Sequence, residues 1–356
     1  MESTMTLYIG VDYHPYQQTV AYWETGDDEI KYRQFLHSDK TALKRFYGGC
    51  GKGSVIGVEA TGALQWFERM LFDNGMELLI GDPRLIRRKA LSRHKNDFRD
   101  AETILDLLMN GQFPRIEPRS EHSQLMLQML NYRHALVGQR TSIANQLQAF
   151  ARRKGLAKFT IKSKLARQRL VAAVEGETEA LLIESRFTLF EELNTEIKKF
   201  EDKLEEEANK DGRAKLLLTH SGIGKLTAMA IVHTLTDVRR FRRSEQAVAF
   251  VGLDPLEKSS GERKRIGKIS KHGSRILRFL LGQAAQVSRD KRLRQFCSQV
   301  SRRRGKPKAK VAAARKLLVN CYIMLRDNIN YQEFTRRGEV GLCGNALDPG
   351  RSDKIA

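Results

Sequence analysis

Leu7-Tyr8-Ile9-Gly10-Val11-Asp12 is a short β-prone run that ends on a carboxylate. Two alternating stretches follow it, Gln17 to Trp23 (QQTVAYW) and Glu29 to Leu36 (EIKYRQFL). Their two-residue period predicts the next strands of a meander. Asp39 to Tyr47 reads as a helix with an N-cap aspartate. Ser54-Val55-Ile56-Gly57-Val58-Glu59 then repeats the opening theme, a buried strand ending on an acid. Thr61-Gly62 turns the chain into a helix carrying Leu64, Phe67, Met70 and Leu71, and Met76 to Ile80 predicts a further strand closed by Asp82-Pro83. This succession of strands and helices makes an α/β domain around a sheet of mixed direction.

An acid at the end of a buried strand is unusual, because burying a lone carboxylate is expensive. Here it occurs twice, at Asp12 and Glu59. Strand ends are also where α/β folds place their sites. The next notable stretch is His94-Lys95-Asn96-Asp97-Phe98-Arg99-Asp100-Ala101, followed by an apolar series at Ile104, Leu105, Leu107 and Leu108. That series predicts a helix whose i and i+3 positions share a face, so Asp97 and Asp100 can address one spot. Each acid alone has an ordinary explanation, a surface strand terminus or a solvated first helical turn. Four carboxylates brought to one sheet edge would instead bind a pair of divalent ions. Two such ions about 3.5–4 Å apart can clamp the attacking and leaving oxygens of a phosphodiester displacement. Hard oxygen ligands suit Mg²⁺ or Mn²⁺ rather than zinc.

The chain has 356 residues, long enough for two or three domains, with 41% hydrophobic and 29% charged residues. No apolar run is long enough to span a bilayer, and Met1-Glu2-Ser3-Thr4 opens neither a basic n-region nor an apolar h-region. The expectation is a cytoplasmic protein without membrane contact. Cys50, Cys297, Cys321 and Cys343 are far apart and form no CxxC pair, which predicts reduced thiols and argues against zinc. The net charge of +21 makes polyanions the default partner. The charge is also clustered. Eight Lys/Arg oppose the single acid Glu262 between Lys258 and Arg278, and twelve oppose Asp290 alone between Arg289 and Lys316. Clusters this dense predict nucleic-acid binding.

From Ser120 to about Ala151, Leu125, Met129, Tyr132, Leu136, Ile143, Leu147 and Phe150 fall at helical spacing. A second amphipathic segment, Glu177 to Lys210, repeats Ile183, Phe190, Ile197 and Leu204 every seven residues, with Leu193 and Phe200 between them. Together they predict an antiparallel helical stalk, either a coiled-coil dimer interface or an intramolecular hairpin. Gly222-Ile223-Gly224-Lys225 then sets a turn between two helical runs. Such a turn suits a phosphate or merely a tight interhelical connection. The following Phe241 to Pro255 pattern resembles the rest of a helix-hairpin-helix module, a binder of duplex backbone.

The stretch Lys258 to Gly273 is a loop rich in Gly, Ser and cations, including Arg263, Lys264, Arg265, Lys268 and Lys271. Its serines are either an activated nucleophile, whose developing phosphate charge the cations would stabilise, or plain hydrogen-bond donors to phosphate. Ser274 to Val287 predicts a helix, Arg302-Arg303-Arg304 opens a basic loop, Ala309 to Leu325 predicts a buried helix, and the tail after Asn330 is expected to be poorly ordered.

The chain resembles the transposases of the insertion sequence 110 family, the DEDD recombinases guided by a bridge RNA. The matches are Gly10-Val11-Asp12, Val58-Glu59-Ala60-Thr61-Gly62, Asp97-x-x-Asp100-Ala101, Gly222-Ile223-Gly224, Gly252-Leu253-x-Pro255, Ser260-Gly261, Gly267-x-Ile269-x-Lys271-x-Gly273 and Ala314-Arg315-Lys316-Leu317. They run in family order from about residue 7 to 330. Two departures are Asn96, where Thr commonly precedes the first aspartate, and His14-Pro15, where a basic residue is commoner.

The resemblance implies a ribonuclease-H-like domain of the Holliday-junction-resolvase type over 1–118, a helical coiled-coil linker over 119–211 and a C-terminal transposase domain over 212–330, before the tail 331–356. It implies that Asp12, Glu59, Asp97 and Asp100 ligate Mg²⁺ or Mn²⁺, and that Ser260, beside Ser259, is a nucleophile forming a phosphoserine–DNA intermediate. Double-stranded donor and target DNA, a non-coding bridge RNA, and homodimers or homotetramers are its implied partners, with activity at the bacterial nucleoid. Lys225, Arg263, Lys264, Arg265, Lys268, Lys271, Arg302, Arg303 and Arg304 are the candidate nucleic-acid contacts. Two other readings compete: a junction endonuclease using the carboxylates and a water nucleophile, and a non-catalytic nucleic-acid scaffold.

Overall fold

The alternating N-terminal stretches fold as strands β1 (Leu7–Tyr13), β2 (Gln17–Glu24) and β3 (Lys31–Leu36), followed by helix α1 (Lys40–Gly49). Then come β4 (Val55–Glu59), α2 (Gln65–Asp73), β5 (Glu77–Gly81), α3 (Pro83–Lys89) and α4 (Asp97–Met109). These elements are seen in a computed structural model that describes residues 6–51, 53–62, 64–89, 96–117, 119–156, 159–257 and 266–344. They belong to the first of two compact units, Met1–Pro118; the second is Arg119–Ala356.

The sheet of the first unit runs β3-β2-β1-β4-β5. The meander pairs are antiparallel, and β1–β4 and β4–β5 are parallel. The sheet is therefore mixed, as the order of elements predicts. Asp39 caps α1 by accepting the Ala42 N–H at 2.9 Å.

The two faces of this sheet differ. Ile9, Val11, Val20, Ile56, Val58 and Leu78 point to one face and pack with Leu43 and Tyr47 of α1 and Phe67 and Leu71 of α2. Alternation sends Gly10 and Gly57 to the other face, where α4 lies against the sheet. A Cβ on Gly10 would stand 2.3 Å from the Ala101 carbonyl oxygen and 2.5 Å from the Leu105 nitrogen. A Cβ on Gly57 would stand 2.8 Å from a Leu108 methyl. The missing side chain at Gly10 lets the α4 backbone rest on β1, and that at Gly57 makes room for the Leu108 side chain on β4. Ile104, Leu105, Leu107 and Leu108 of α4 are buried, each stabilising the contact by about 1.5–3 kcal/mol.

The second unit is mainly helical: α5 (Glu121–Arg153), α6 (Lys164–Ala172), α7 (Gly176–Lys210), α8 (Gly212–Leu218), α9 (Lys225–Leu235) and α10 (Ser244–Val251). A short hairpin of β6 (Pro255–Glu257) and β7 (Ile266–Ile269) precedes α11 (Arg275–Val287), α12 (Lys291–Arg304), α13 (Lys306–Asp327) and α14 (Tyr331–Gly344).

Helices α5 and α7 pack on each other within the chain through Leu147, Phe150, Ile183 and Phe190. The Arg133–Glu201 ion pair and a 3.0 Å hydrogen bond from Arg140 to Asn194 add to that contact. All four heptad residues Ile183, Phe190, Ile197 and Leu204 are buried. The first half of α5 departs from the predicted stripe, because Leu125 and Tyr132 are exposed while Met126 and Leu130 are buried. There the inward face meets the core built around α9 rather than the core shared with α6 and α7. A change of partner along a long helix rotates the face that must be apolar.

Two expectations for the C-terminal part are corrected. Arg302, Arg303 and Arg304 form the last turn of α12 instead of a loop, and the break comes at Gly305, whose φ is +83°. Cations at a helix C-terminus are favoured by its dipole. Of the tail expected to be poorly ordered, 331–344 is helical, and 345–356 lies outside the described residues. Tyr331 donates its N–H to Thr219 Oγ1 at 2.9 Å, and its ring lies 4.3 Å from that of buried His220, so local packing supplies what the composition lacks. Among the described residues Cys50, Cys297 and Cys321 are free thiols. None of the described helices is long and apolar enough to cross a membrane.

Candidate active site

Asp12 sits near the carboxyl end of β1, and the parallel register Val11–Val58 sets it beside Glu59 at the end of β4. By alternation both acids face the side occupied by Gly10, Gly57 and α4. Helix α4 starts above them. The Asn96 side chain accepts the Phe98 N–H at 3.1 Å and caps it, so Asp97 and Asp100 fall in its first turn. Because the glycine contacts press the middle of α4 onto β1, its first turn lies over the Asp12 end of the strand.

Asp12 and Asp97 come together, and a third group joins them. His14 Nε2 lies 3.0 Å from Asp12 Oδ2 and 3.6 Å from Asp97 Oδ1. One donor atom from each of the three residues falls within 4.8 Å of the others. Burial pushes the Asp12 carboxyl up to about 6; His14 offsets part of that effect, and the negative charges of Asp100 and Asp97 add to it. Asp100 thus acts on Asp12 electrostatically from the same helical turn. Glu59 turns elsewhere and accepts a hydrogen bond from Arg87 Nη2 of α3 at 3.0 Å. That pair is exposed, the side chains keeping 72% and 31% of their accessible surface, so it is weak and exchangeable.

Two carboxylates and an imidazole, with the Asp97 and His14 side chains near half exposed, fit a divalent cation that retains several water ligands. His14 is the residue that sequence reasoning passed over as a mere departure from a motif. Its signal was the Asp-x-His spacing, which sets a second donor directly after the acid at the end of β1.

The second unit presents cations of several kinds. Lys268 on β7 and Lys271 just after it are exposed, and Lys271 adopts a left-handed backbone with φ of +57°. Arg302, Arg303 and Arg304 are exposed at the end of α12. Lys225 opens α9 but is engaged with Glu205 of α7. Ser259, Ser260, Arg263, Lys264 and Arg265 lie outside the described residues. Close contacts join the chain just before β6 to the chain just after β7. Gly252, with φ of +78°, admits the His272 backbone where a Cβ would sit 1.8 Å from its carbonyl oxygen. Arg278 ties the same junction by donating to the carbonyls of Val251 at 2.9 Å and His272 at 2.7 Å. Asp254 accepts the Ser270 hydroxyl across the base of the hairpin.

The Gly222-Ile223-Gly224 turn joins α8 to α9. Ile223 is buried, and a Cβ on Gly222 would meet Ser288 Cα at 2.7 Å, so close packing accounts for this turn.

A model of DEDD transposases of the IS110 type, described as Transposase, matches residues 9–153. A second, described as Transposase IS116/IS110/IS902 family, matches residues 214–301. The two cover more than half of the sequence. The chain belongs to the IS110 family of transposases.

Relatives agree. The IS110-type transposase is 29% identical over 250 residues to the transposase for insertion sequence element IS1328 of Yersinia enterocolitica, covering 69% of this chain and 73% of that one. It is 28% identical over 240 residues to a probable family 20 transposase of Pseudomonas aeruginosa, with 65% and 70% covered. It is 25% identical over 241 residues to the transposase for insertion sequence element IS1111A of Coxiella burnetii, with 66% and 65% covered. The first match spans Asp12, Glu59, Asp97 and Asp100, and the second spans the β6–β7 hairpin. The carboxylate site and the cationic hairpin are therefore parts of a DNA transposase.

Proposed function

We propose that this transposase cuts and rejoins DNA through a composite site, with Asp12, Glu59, Asp97 and Asp100 as ligands of Mg²⁺ or Mn²⁺ and Ser260 as nucleophile. The observation that carries the reading is the convergence of Asp12 and Asp97, with Asp100 close by, at the carboxyl end of β1 in a chain of this family. Divalent ions, when bound, supply the positive charge that offsets the negative charge building on the phosphate. The raised Asp12 proton affinity reflects first its burial and then the nearby negative charges of Asp100 and Asp97, an environment that a bound cation would relieve.

In this mechanism the Ser260 oxygen forms a bond to phosphorus as the bond from phosphorus to the 3′-oxygen breaks. The hydroxyl proton ends on that departing oxygen, leaving a phosphoserine and a free 3′-hydroxyl. Attack of a new 3′-hydroxyl on the phosphoserine reverses the step and rejoins strands. Arg263, Lys264, Arg265, Lys268 and Lys271 would steady the phosphate charge, and Arg302, Arg303, Arg304 and Lys225 would grip backbone, Lys225 after leaving Glu205. A non-coding bridge RNA would read donor and target sequence by base pairing while the protein reads shape, within a homodimer or homotetramer.

The test is to trap the reaction on labelled DNA with Mg²⁺ and the cognate RNA. A covalent protein–DNA adduct is expected that disappears in Ser260→Ala and persists in Ser259→Ala. Asp97→Asn should abolish cleavage while leaving RNA binding intact. An adduct surviving Ser260→Ala would refute the serine assignment, and cleavage without any adduct would favour a water nucleophile.

A further inference from the structure

We infer that His14 is itself a ligand of the divalent cation and tilts the carboxylate site toward Mn²⁺ over Mg²⁺. The inference rests on reading Asp12 and Asp97 as metal ligands, and adds a nitrogen donor to that set.

The placement of His14 is specific. It follows Asp12 by two positions and lies one residue past the end of β1, at the start of the turn into β2. The turn that carries it is braced: the His14 N–H donates to the Gln17 carbonyl at 2.9 Å, and the His37 N–H to the Tyr16 carbonyl at 2.8 Å. His37 Nδ1 lies 3.2 Å from the Pro15 carbonyl oxygen, and Pro15 removes one backbone rotation. A ring held in this way meets two carboxylates of different elements at 3.0 and 3.6 Å through one nitrogen, Nε2. Ligands about 2.1 Å from an octahedral ion stand about 3 Å apart when adjacent, so the three donors need little rearrangement to share one ion.

The chemistry of the donor decides the preference. Mg²⁺ demands oxygen ligands and dehydrates reluctantly, whereas first-row transition metals accept imidazole readily. Among these, Mn²⁺ also keeps the taste for carboxylate and water that Asp12 and Asp97 impose. The imidazole adds a neutral ligand, so it raises affinity for a nitrogen-accepting ion without adding charge that would serve both ions alike. A histidine that only neutralised the acid pair would instead be displaced by the cation and would make no bond to it.

The two cases separate in the electron spin-echo spectrum of the full chain loaded with Mn²⁺ alone. Nitrogen modulation from one imidazole is expected in the native protein. In His14→Ala and His14→Gln, bound Mn²⁺ should lose that modulation. The ring is half exposed, so both variants should keep the native melting temperature. Their Mn²⁺ affinity should fall by at least the roughly tenfold lost when a partner outside the first ligand sphere is removed. Mg²⁺ affinity, read by competition, should change far less. Bound Mn²⁺ without nitrogen modulation in the native protein, or modulation that survives His14→Ala, overturns the role of His14 and leaves the carboxylate site standing. Absence of bound Mn²⁺, or binding indifferent to Asp12→Asn and Asp97→Asn, overturns the carboxylate reading and this inference together.

Discussion

The two faces of the N-terminal sheet are covered in different ways. One is aliphatic, with Ile9, Val11, Ile56 and Val58 meeting the side chains of α1 and α2 at ordinary distance. The other has Gly10 and Gly57 at its centre and meets the α4 backbone directly at Gly10 and the Leu108 side chain at Gly57. The first arrangement secures stability through buried area. The second fixes position, because a helix lying on glycines has little freedom to slide or rise. Position is what a site assembled from two elements requires, and the acids fall on the glycine face.

Filling the glycine face should break that difference most severely. In Gly10→Ala the new methyl meets backbone at 2.3 and 2.5 Å, atoms that cannot move without shifting α4. The expected loss is about 3 kcal/mol or more, the upper range for overpacking. Metal affinity should fall with it, since Asp97 and Asp100 ride on α4. In Gly57→Ala the obstacle is the Leu108 side chain, which can rotate, so the cost should stay near the lower end, about 1 kcal/mol. On the aliphatic face Ile9→Val should cost about 0.5–1.5 kcal/mol and leave metal affinity unchanged. Denaturant unfolding with Mn²⁺ titration checks all three; equal effects of Gly10→Ala and Gly57→Ala would remove the argument for backbone contact.

Much of this was readable in the residues. The meander, the acid-terminated strands and the α4 register all follow from short-range periodicity, and the observed elements match them closely. The face of α5 was half readable, because Met126 and Leu130 answer to a core that forms only when α9 is in place. The helix over 331–344 escaped because its anchor, the His220–Tyr331 contact, joins residues far apart in sequence. At the site, Asp12 and Asp97 were found by type and spacing. His14 was set aside because an Asp-x-His pair gains meaning only when a third donor arrives from another element. The turn of Glu59 toward Arg87 was invisible for the same reason.

A second comparison sets the two units against each other by acid. Asp12, raised to about 6, takes up a proton more readily folded than unfolded. Its ionisation therefore weakens the first unit as pH rises from 3.8 through about 6, with no further change above. His233 in the second unit is lowered to about 4, first by burial and then by the charge of His122. The folded state favours its neutral form, so this contribution to stability is complete above 6.5 and is lost as pH falls through about 4. Shifts of this size correspond to at most about 3 kcal/mol each. Hydrogen exchange in EDTA between pH 6.5 and 4.5 should show β1 gaining protection in the native protein relative to Asp12→Asn, and α9 losing it relative to His233→Gln. Parallel slopes in native and variant proteins would sink either assignment.

The smallest expected effect bears on whether Glu59 belongs with the other acids. Its pairing with Arg87 is exposed and should contribute no more than about 1 kcal/mol, so Arg87→Ala should barely move the melting temperature. If Glu59 is the fourth ligand, Arg87 competes with the cation for it, and removing Arg87 should raise Mn²⁺ affinity by up to about fivefold, the equivalent of that energy. Glu59→Gln should then lower affinity below the native value. If both variants bind Mn²⁺ as the native protein does, Glu59 is only the partner of Arg87. Asp12, His14 and Asp97 would then be the working donor set, with Asp100 acting through its charge.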